Sequence, residues 1–225
     1  MKTYSLFYTK ILDSSMPIEY ISKQIKELPL SFNLIDCINW QLFPYKPKTE
    51  FKLIHLYDGF YLHFKVHEKW VIGLTTTDNG AVYNDSCVEF FIDPAEDGSY
   101  YNFEFNCIGT TLLGFGSSRN DREFAPINVI KNIIRKASLG NKIIESPLEN
   151  TIWELELIIP FTCLYNHTID KLNTKSFRCN FYKCANKNPQ THYLTWNPVN
   201  TNTPDFHRPD FFGNTITYES IPEKS

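Results

Sequence analysis

From Phe51 onward, apolar and polar side chains alternate over short stretches separated by Gly, Pro, Asn and Asp. That period of two marks strands with one face turned to a core. The clearest stretch covers residues 100–107, where Tyr101, Phe103, Phe105 and Cys107 point one way and Tyr100, Asn102, Glu104 and Asn106 the other. Residues 86–93 repeat the pattern, with Val88, Phe90 and Ile92 opposite Cys87, Glu89, Phe91 and Asp93. Residues 177–184 set Phe177, Cys179 and Phe181 against Arg178, Asn180 and Tyr182. Tyr57-Asp58-Gly59 between two apolar runs is a hairpin signal. Residues 110–115 are expected to pair back after Gly109, and 129–137 with 142–146 to form a hairpin around Gly140. Strands are also expected at 151–159, 193–196 and 215–218.

Before this region the period changes. Ile18, Ile21, Ile25 and Leu28 recur at helical spacing, and residues 40–47 hold two prolines and suit an extended arm. The pattern predicts an all-β antiparallel β-sandwich, jelly-roll-like, in a single domain. Residues 1–39 are expected to form a helix or arm, 40–218 the sandwich and 219–225 a tail.

The polar faces carry the candidate chemistry. Glu89, Asn102, Glu104, Asn106, Arg178 and Asn180 fall opposite the core, and on neighbouring strands they make a platform of carboxylates, amides and a guanidinium. Such groups match sugar hydroxyls, each of which donates and accepts hydrogen bonds. A plain solvated face is the alternative, but the 100–106 face lacks the Lys, Ser and Thr expected of one. Sugars also need flat apolar surfaces, for which Tyr83, Trp196, Trp70 and Tyr182 are candidates. Aromatic residues reach 16%, more than a core alone calls for.

Charge narrows the options. The net charge is -3 with no basic run, which argues against a nucleic-acid partner. No apolar stretch approaches the about 20 residues of a membrane span. The first fifteen residues are too polar for a signal peptide, so the sequence reads as cytoplasmic unless an export signal is missing from it. The six cysteines form no CxxC pair and read as small buried apolar residues rather than bridges. Asn166-His167-Thr168 is a glycosylation acceptor only in a secretory context.

Three segments together resemble a known family, the first being the strand pair around Tyr57-Asp58-Gly59-Phe60-Tyr61-Leu62, which precedes the other two. The run from Tyr83 through Asn84-Asp85-Ser86-Cys87-Val88-Glu89 to Asp93 is similar to the aromatic-Asp-Ser-Val-Glu signature of family 9 carbohydrate-binding modules. Trp196-Asn197-Pro198, followed by Pro204-Asp205-Phe206-His207-Arg208-Pro209 and Phe212-Gly213, resembles the ending of the bacterial family-9-like branch. The resemblance covers residues 40–218. It implies a sandwich that grips the end of a sugar chain between two aromatic rings, in support of polysaccharide use. By position, Tyr83 stands where the first platform is usually Trp, and Glu89 is the carboxylate acceptor. Asn102 and Glu104 lie on the strand that supplies further polar ligands, with Glu104 where an amide is expected, and Trp196 is the second platform. Asn180 of the polar face joins them as a candidate ligand.

The resemblance also allows structural calcium, for which Asp58, Asp93 and Asp97 are oxygen donors near turns, and a glycoside hydrolase as partner. Two other functions stay open. Glu89 and Glu104 on adjacent strands could act as the carboxyl pair of a glycoside hydrolase, which needs a spacing of about 5–5.5 or 6.5–9.5 Å. Haem binding has little support, because Met1 and Met16 both precede the strand region.

Overall fold

A computed structural model describes residues 1–167 and 176–218. Thr168 and the tail at 219–225 therefore lie outside the described residues. In chain order the elements are β1 (Thr3–Tyr8), α1 (Ile18–Lys26), β2 (Asn33–Leu34), β3 (Lys48–His55), β4 (Gly59–Gly73), β5 (Cys87–Asp93) and β6 (Tyr100–Asn106). There follow β7 (Thr111–Gly116), β8 (Glu123–Phe124), α2 (Ile127–Ile130), β9 (Ile134–Ala137), β10 (Ile144–Pro160), β11 (Arg178–Ala185), β12 (His192–Thr195) and β13 (Gly213–Tyr218). The strands hydrogen-bond in the order β8-β7-β6-β5-β11-β13-β1-β3-β4-β10-β9, with β12 beside β11 and β2 beside β3.

This sheet curls until its two ends face each other. Phe60, Leu62 and Phe64 of β4 and Trp153, Leu155 and Leu157 of β10 share one buried cluster with Val88, Phe90, Ile92, Phe103, Phe105 and Phe181 from the other end. Phe181 sits at its centre, 3.7 Å from Phe51 and 5.0 Å from Phe90 between stacked ring centroids. The expected sandwich is what forms, and the alternation read in β5, β6 and β11 fixes which side chains enter it. The sheet is mixed, however: every pairing is antiparallel except β1 with β13 and β1 with β3.

The outer faces are covered too. Ile18, Ile21 and Ile25 of α1 pack with Phe7, Ile54, Tyr61 and Ile158 over the β3–β4–β10 end. On the opposite end Trp40, Val82, Val199, Phe206 and Phe212 come from loops and cover Phe91, Tyr100, Leu112 and Tyr182. The expected open platform is thus a second buried layer.

Three further expectations need correction. Residues 1–39 are not an arm outside the sandwich, because β1 threads between β13 and β3 and sends Tyr4 and Leu6 into the core. The hairpin around Gly140 does not form. β9 instead pairs with Leu155–Ile158, the buried half of β10, while much of the N-terminal half stays exposed. Trp196 is no exposed platform: it is 3% exposed and packs against Tyr4, Phe51 and Phe181. A Cβ at Gly213 would fall 2.5 Å from its ring, so that glycine makes the close approach possible.

Trp196→Ala should therefore act on stability. Removing a large core aromatic costs about 3–5 kcal/mol. Denaturant unfolding of the variant should show a loss of this size, and a loss under about 1 kcal/mol would contradict the core assignment.

Candidate functional site

Above the outward face of β5, β6 and β11 lies a pocket of about 270 Å³, lined among others by Tyr83, Glu89, Glu104, Arg122, Tyr193 and His207. Its floor follows from register. Glu89 and Glu104 are directly paired across β5 and β6, and Cys184 of β11 sits across from Cys87. Two loops form the walls. Arg119 and Arg122 lie between β7 and β8, and Phe206 and His207 come from the segment that covers the outer face.

Of the expected site residues, Tyr83, Glu89 and Glu104 are brought together here. Tyr83 is half-buried in a single helical turn, Val82–Asn84, just before β5. Asn102 lies behind the floor: its Nδ2 donates to Glu104 Oε1 at 2.9 Å. Its own Oδ1 would lie 2.6 Å from a Cβ on Gly114, the residue opposite it on β7, so a side chain there would displace the amide. Asn180 is fully buried and does not line the pocket. It accepts from the backbone N–H of Phe181 and Asn197 and donates to the carbonyls of Asn197 and Phe211. Trp196 faces the other side of the sheet, in the core.

The signature residues Asp85 and Asn106 have a structural task as well. Asp85 Oδ2 accepts from the Thr75 N–H and from Asn106 Nδ2, tying the loop before β5 to the end of β6. The carboxylates considered for calcium are engaged in turns. Asp93 accepts from the backbone N–H of Asp97 and Gly98, and Asp58 from the N–H and hydroxyl of Ser14.

Arg119, Arg122, Tyr193, Phe206 and His207 were not singled out as site residues by sequence reasoning. Tyr193 had a usable signal: in β12 it alternates with the core residues Leu194 and Trp196 and so must face outward. The arginines sit in a loop without periodicity, and nothing local points to them.

A continuous polar chain runs along one wall. Arg122 Nη1 is 3.3 Å from Glu104 Oε1 and 3.1 Å from His207 Nε2. A guanidinium only donates, so Nε2 accepts, the ring proton is on Nδ1, and Nδ1–H donates to the Tyr100 hydroxyl at 2.9 Å. Burial, reinforced by Arg122 and Arg119, pushes the His207 pKa down to about 2, which keeps the ring neutral. Burial raises both carboxyls. Arg122 opposes this at Glu104, whereas Glu89 faces Cys184 and Glu104 and is driven well up, so Glu89 is the member that retains a proton. Glu89 Oε1 also accepts from the Cys184 thiol at 3.1 Å. Glu104 Oε2 is buried and finds no hydrogen-bond partner among the described residues.

Comparison with known proteins adds the relationships. A model of carbohydrate-binding family 9 matches residues 19–217. A Bacteroides uniformis ATCC 8492 protein of known crystal structure, itself proposed to bind carbohydrate, shares 34% identity over 96% of this chain and 99% of its own, with a TM-score of 0.92. Two structures of a family 9 carbohydrate-binding module from Caldicellulosiruptor kristjanssonii share the fold at low identity. The glucose complex has 13% identity, 99% and 98% coverage and a TM-score of 0.53. The cellotriose complex has 14% identity, 100% and 97% coverage and a TM-score of 0.57. No curated protein matches the chain. With the family model matching residues 19–217 and a relative at 34% identity over 96% of this chain, this chain belongs to carbohydrate-binding family 9.

Proposed function

We propose that the pocket over β5, β6 and β11 binds a terminal sugar unit without cleaving it. The observation that carries this reading is Glu104 Oε2, a buried acceptor without a partner among the described residues, on a side chain that lines a small pocket. An unsatisfied buried acceptor costs about 1–3 kcal/mol, and a hydroxyl donating to it recovers that cost. Tyr83 and Tyr193 are half-buried at the same pocket and offer ring faces to the C–H face of a sugar. At about 270 Å³ the space suits one ring better than a chain. Family membership and the sugar complexes of the Caldicellulosiruptor module agree with carbohydrate as the ligand class. A role in polysaccharide use, beside a glycoside hydrolase, is the setting in which such binding would serve.

The catalytic alternative rests on the paired carboxyls Glu89 and Glu104. Arg122 and Asn102 already hold Glu104 Oε1, which fixes that carboxylate in place. Chromogenic glycosides and oligosaccharides incubated with the protein should stay intact. Hydrolysis that disappears in both Glu89→Gln and Glu104→Gln would transfer the site to catalysis.

Calorimetric titration with monosaccharides and short oligosaccharides should give one site with Kd on the order of µM to mM. Tyr83→Ala should weaken it by about 1–3 kcal/mol. Glu104→Gln should cost about 1.5–3 kcal/mol, the scale of a hydrogen bond to a charged group. Parent-like binding by both variants would place the site elsewhere.

The affinity should depend on pH through Glu104. Burial raises its pKa, and only the ionised form leaves both oxygens as acceptors. Binding is therefore full at higher pH and falls as pH drops through the raised value, above the ordinary Glu titration near about 4.3. Glu104→Gln should flatten this limb of the profile, and an unchanged profile in that variant would rule Glu104 out as its source.

A further inference from the structure

The floor of the pocket contains a group that the proposed sugar contacts of Tyr83, Tyr193 and Glu104 leave unused. Cys87 and Glu89 lie two residues apart on β5 and share its outward face, and Cys184 stands opposite Cys87 on β11. One ligand atom from each, two Sγ and a carboxylate oxygen, all lie within 4.8 Å of one another. Cys184 Sγ is 3.1 Å and Cys87 Sγ 4.0 Å from Glu89 Oε1. We propose that Cys87, Cys184 and Glu89 form a binding site for a thiolate-preferring divalent cation of the zinc class, with the fourth position open to the pocket.

The dimensions fit. A tetrahedral zinc with bonds of about 2.3 Å to sulfur and 2.0 Å to oxygen separates S from S by about 3.8 Å and S from O by about 3.5 Å. The two S–O distances lie on either side of that value and need shifts of about half an ångström, while the S–S separation, within 4.8 Å, needs to close by at most about 1 Å. Two sulfurs and one carboxylate select against calcium and magnesium, which take oxygen ligands. Three protein ligands with one open position is the arrangement of zinc sites that exchange their fourth ligand. Glu89 and Cys184 line the pocket, so an ion entering it reaches two of its ligands directly. On binding, both thiols and Glu89 release their protons to solvent, leaving a site of net charge −1. Lys183 and Arg122 supply nearby positive charge against it. None of the three side chains is exposed, so the group is unlike the solvated acidic patches that hold ions only loosely.

This goes beyond the sugar reading and is tested without sugar, so either can fail alone. Reduced protein, stripped with a chelator, is titrated with zinc against a chromophoric chelator and separately with cobalt. One zinc per chain is expected, and cobalt should give a near-ultraviolet thiolate-to-cobalt charge-transfer band with intense visible bands of tetrahedral geometry. Cys87→Ser and Cys184→Ser should each weaken zinc binding by more than about 100-fold, above the cost of losing an outer-sphere partner. Cys37→Ser, at a partly exposed cysteine away from the pocket, should bind like the parent. If a Ser variant does not fold, Glu89→Gln gives the same answer by keeping the thiolate band while lowering the affinity about tenfold or more. No stoichiometric uptake, a cobalt spectrum without the thiolate band, or equal loss in Cys37→Ser would overturn the site.

Discussion

The strands β5, β6 and β11 are buried on both faces, and the pocket depends on that double burial. A sheet face packed on a core forces alternation, but the opposite face is free to be polar only while it meets water. Here it does not. The inner face meets the phenylalanine-rich core, and the outer face lies under Trp40, Val199, Phe206 and Phe212. Glu89, Asn102, Glu104, Asn106 and Asn180 are therefore all removed from bulk water while keeping polar side chains. Buried polar groups without partners are costly, so each needs a specific bond.

Those bonds sort the polar face into scaffold and site. Asn106 joins Asp85 and the Thr75 carbonyl, and Asn180 joins the covering segment. Asn102, Glu104, Arg122, His207 and Tyr100 make one continuous chain of hydrogen bonds. A protonated His207 would face Arg122 with no acceptor on Nε2, so the neutral ring is a condition of the network. The chain ends on an unfilled acceptor, Glu104 Oε2, at the pocket. One buried polar cluster elsewhere in the sandwich closes on itself. Lys183, Glu68 and His192, all fully buried, bond to one another, and Trp153 Nε1 donates to Glu68. The contrast is between a buried network that closes on itself and one that leaves an acceptor open among the described residues.

Much of the fold was legible because period-two alternation survives in a strand buried on both faces when one layer is aromatic and the other polar. Residues 100–107 and 86–93 show it directly. β1 was missed because Tyr4 and Leu6 alone are a short signal, and a parallel partner at the far end of the chain leaves no local trace. Trp196 was misplaced for a different reason. A tryptophan before a Pro-rich loop suggests an exposed ring, but parity with Leu194 places it inside and Tyr193 outside. Parity was the better guide, since a strand cannot turn one side chain over without a bulge. Arg122 lay beyond any local pattern, and the ending that contains His207 did not show its role, because their meeting depends on two separate loops converging over one face of the sheet.

That convergence rests on the covering segment, and its anchors differ in strength. The Arg119–Asp205 ion pair at the rim, 2.7 Å long, has an arginine side chain 54% exposed. Such pairs contribute about 0–1 kcal/mol and weaken with salt. The buried anchors are of another kind. Asn180 and Asn197 hold the Phe211 carbonyl, the Tyr182 hydroxyl donates to the Phe206 carbonyl, and the two rings stack at 4.3 Å. These contacts are shielded from solvent and hold Phe206, and with it His207, in place with no ligand required. A wall fixed in this way would not have to be ordered by the proposed sugar, so the cost of ordering a loop would be largely absent from its binding. Asn180 thus serves the pocket without touching it, by fixing the segment that carries His207 to Arg122.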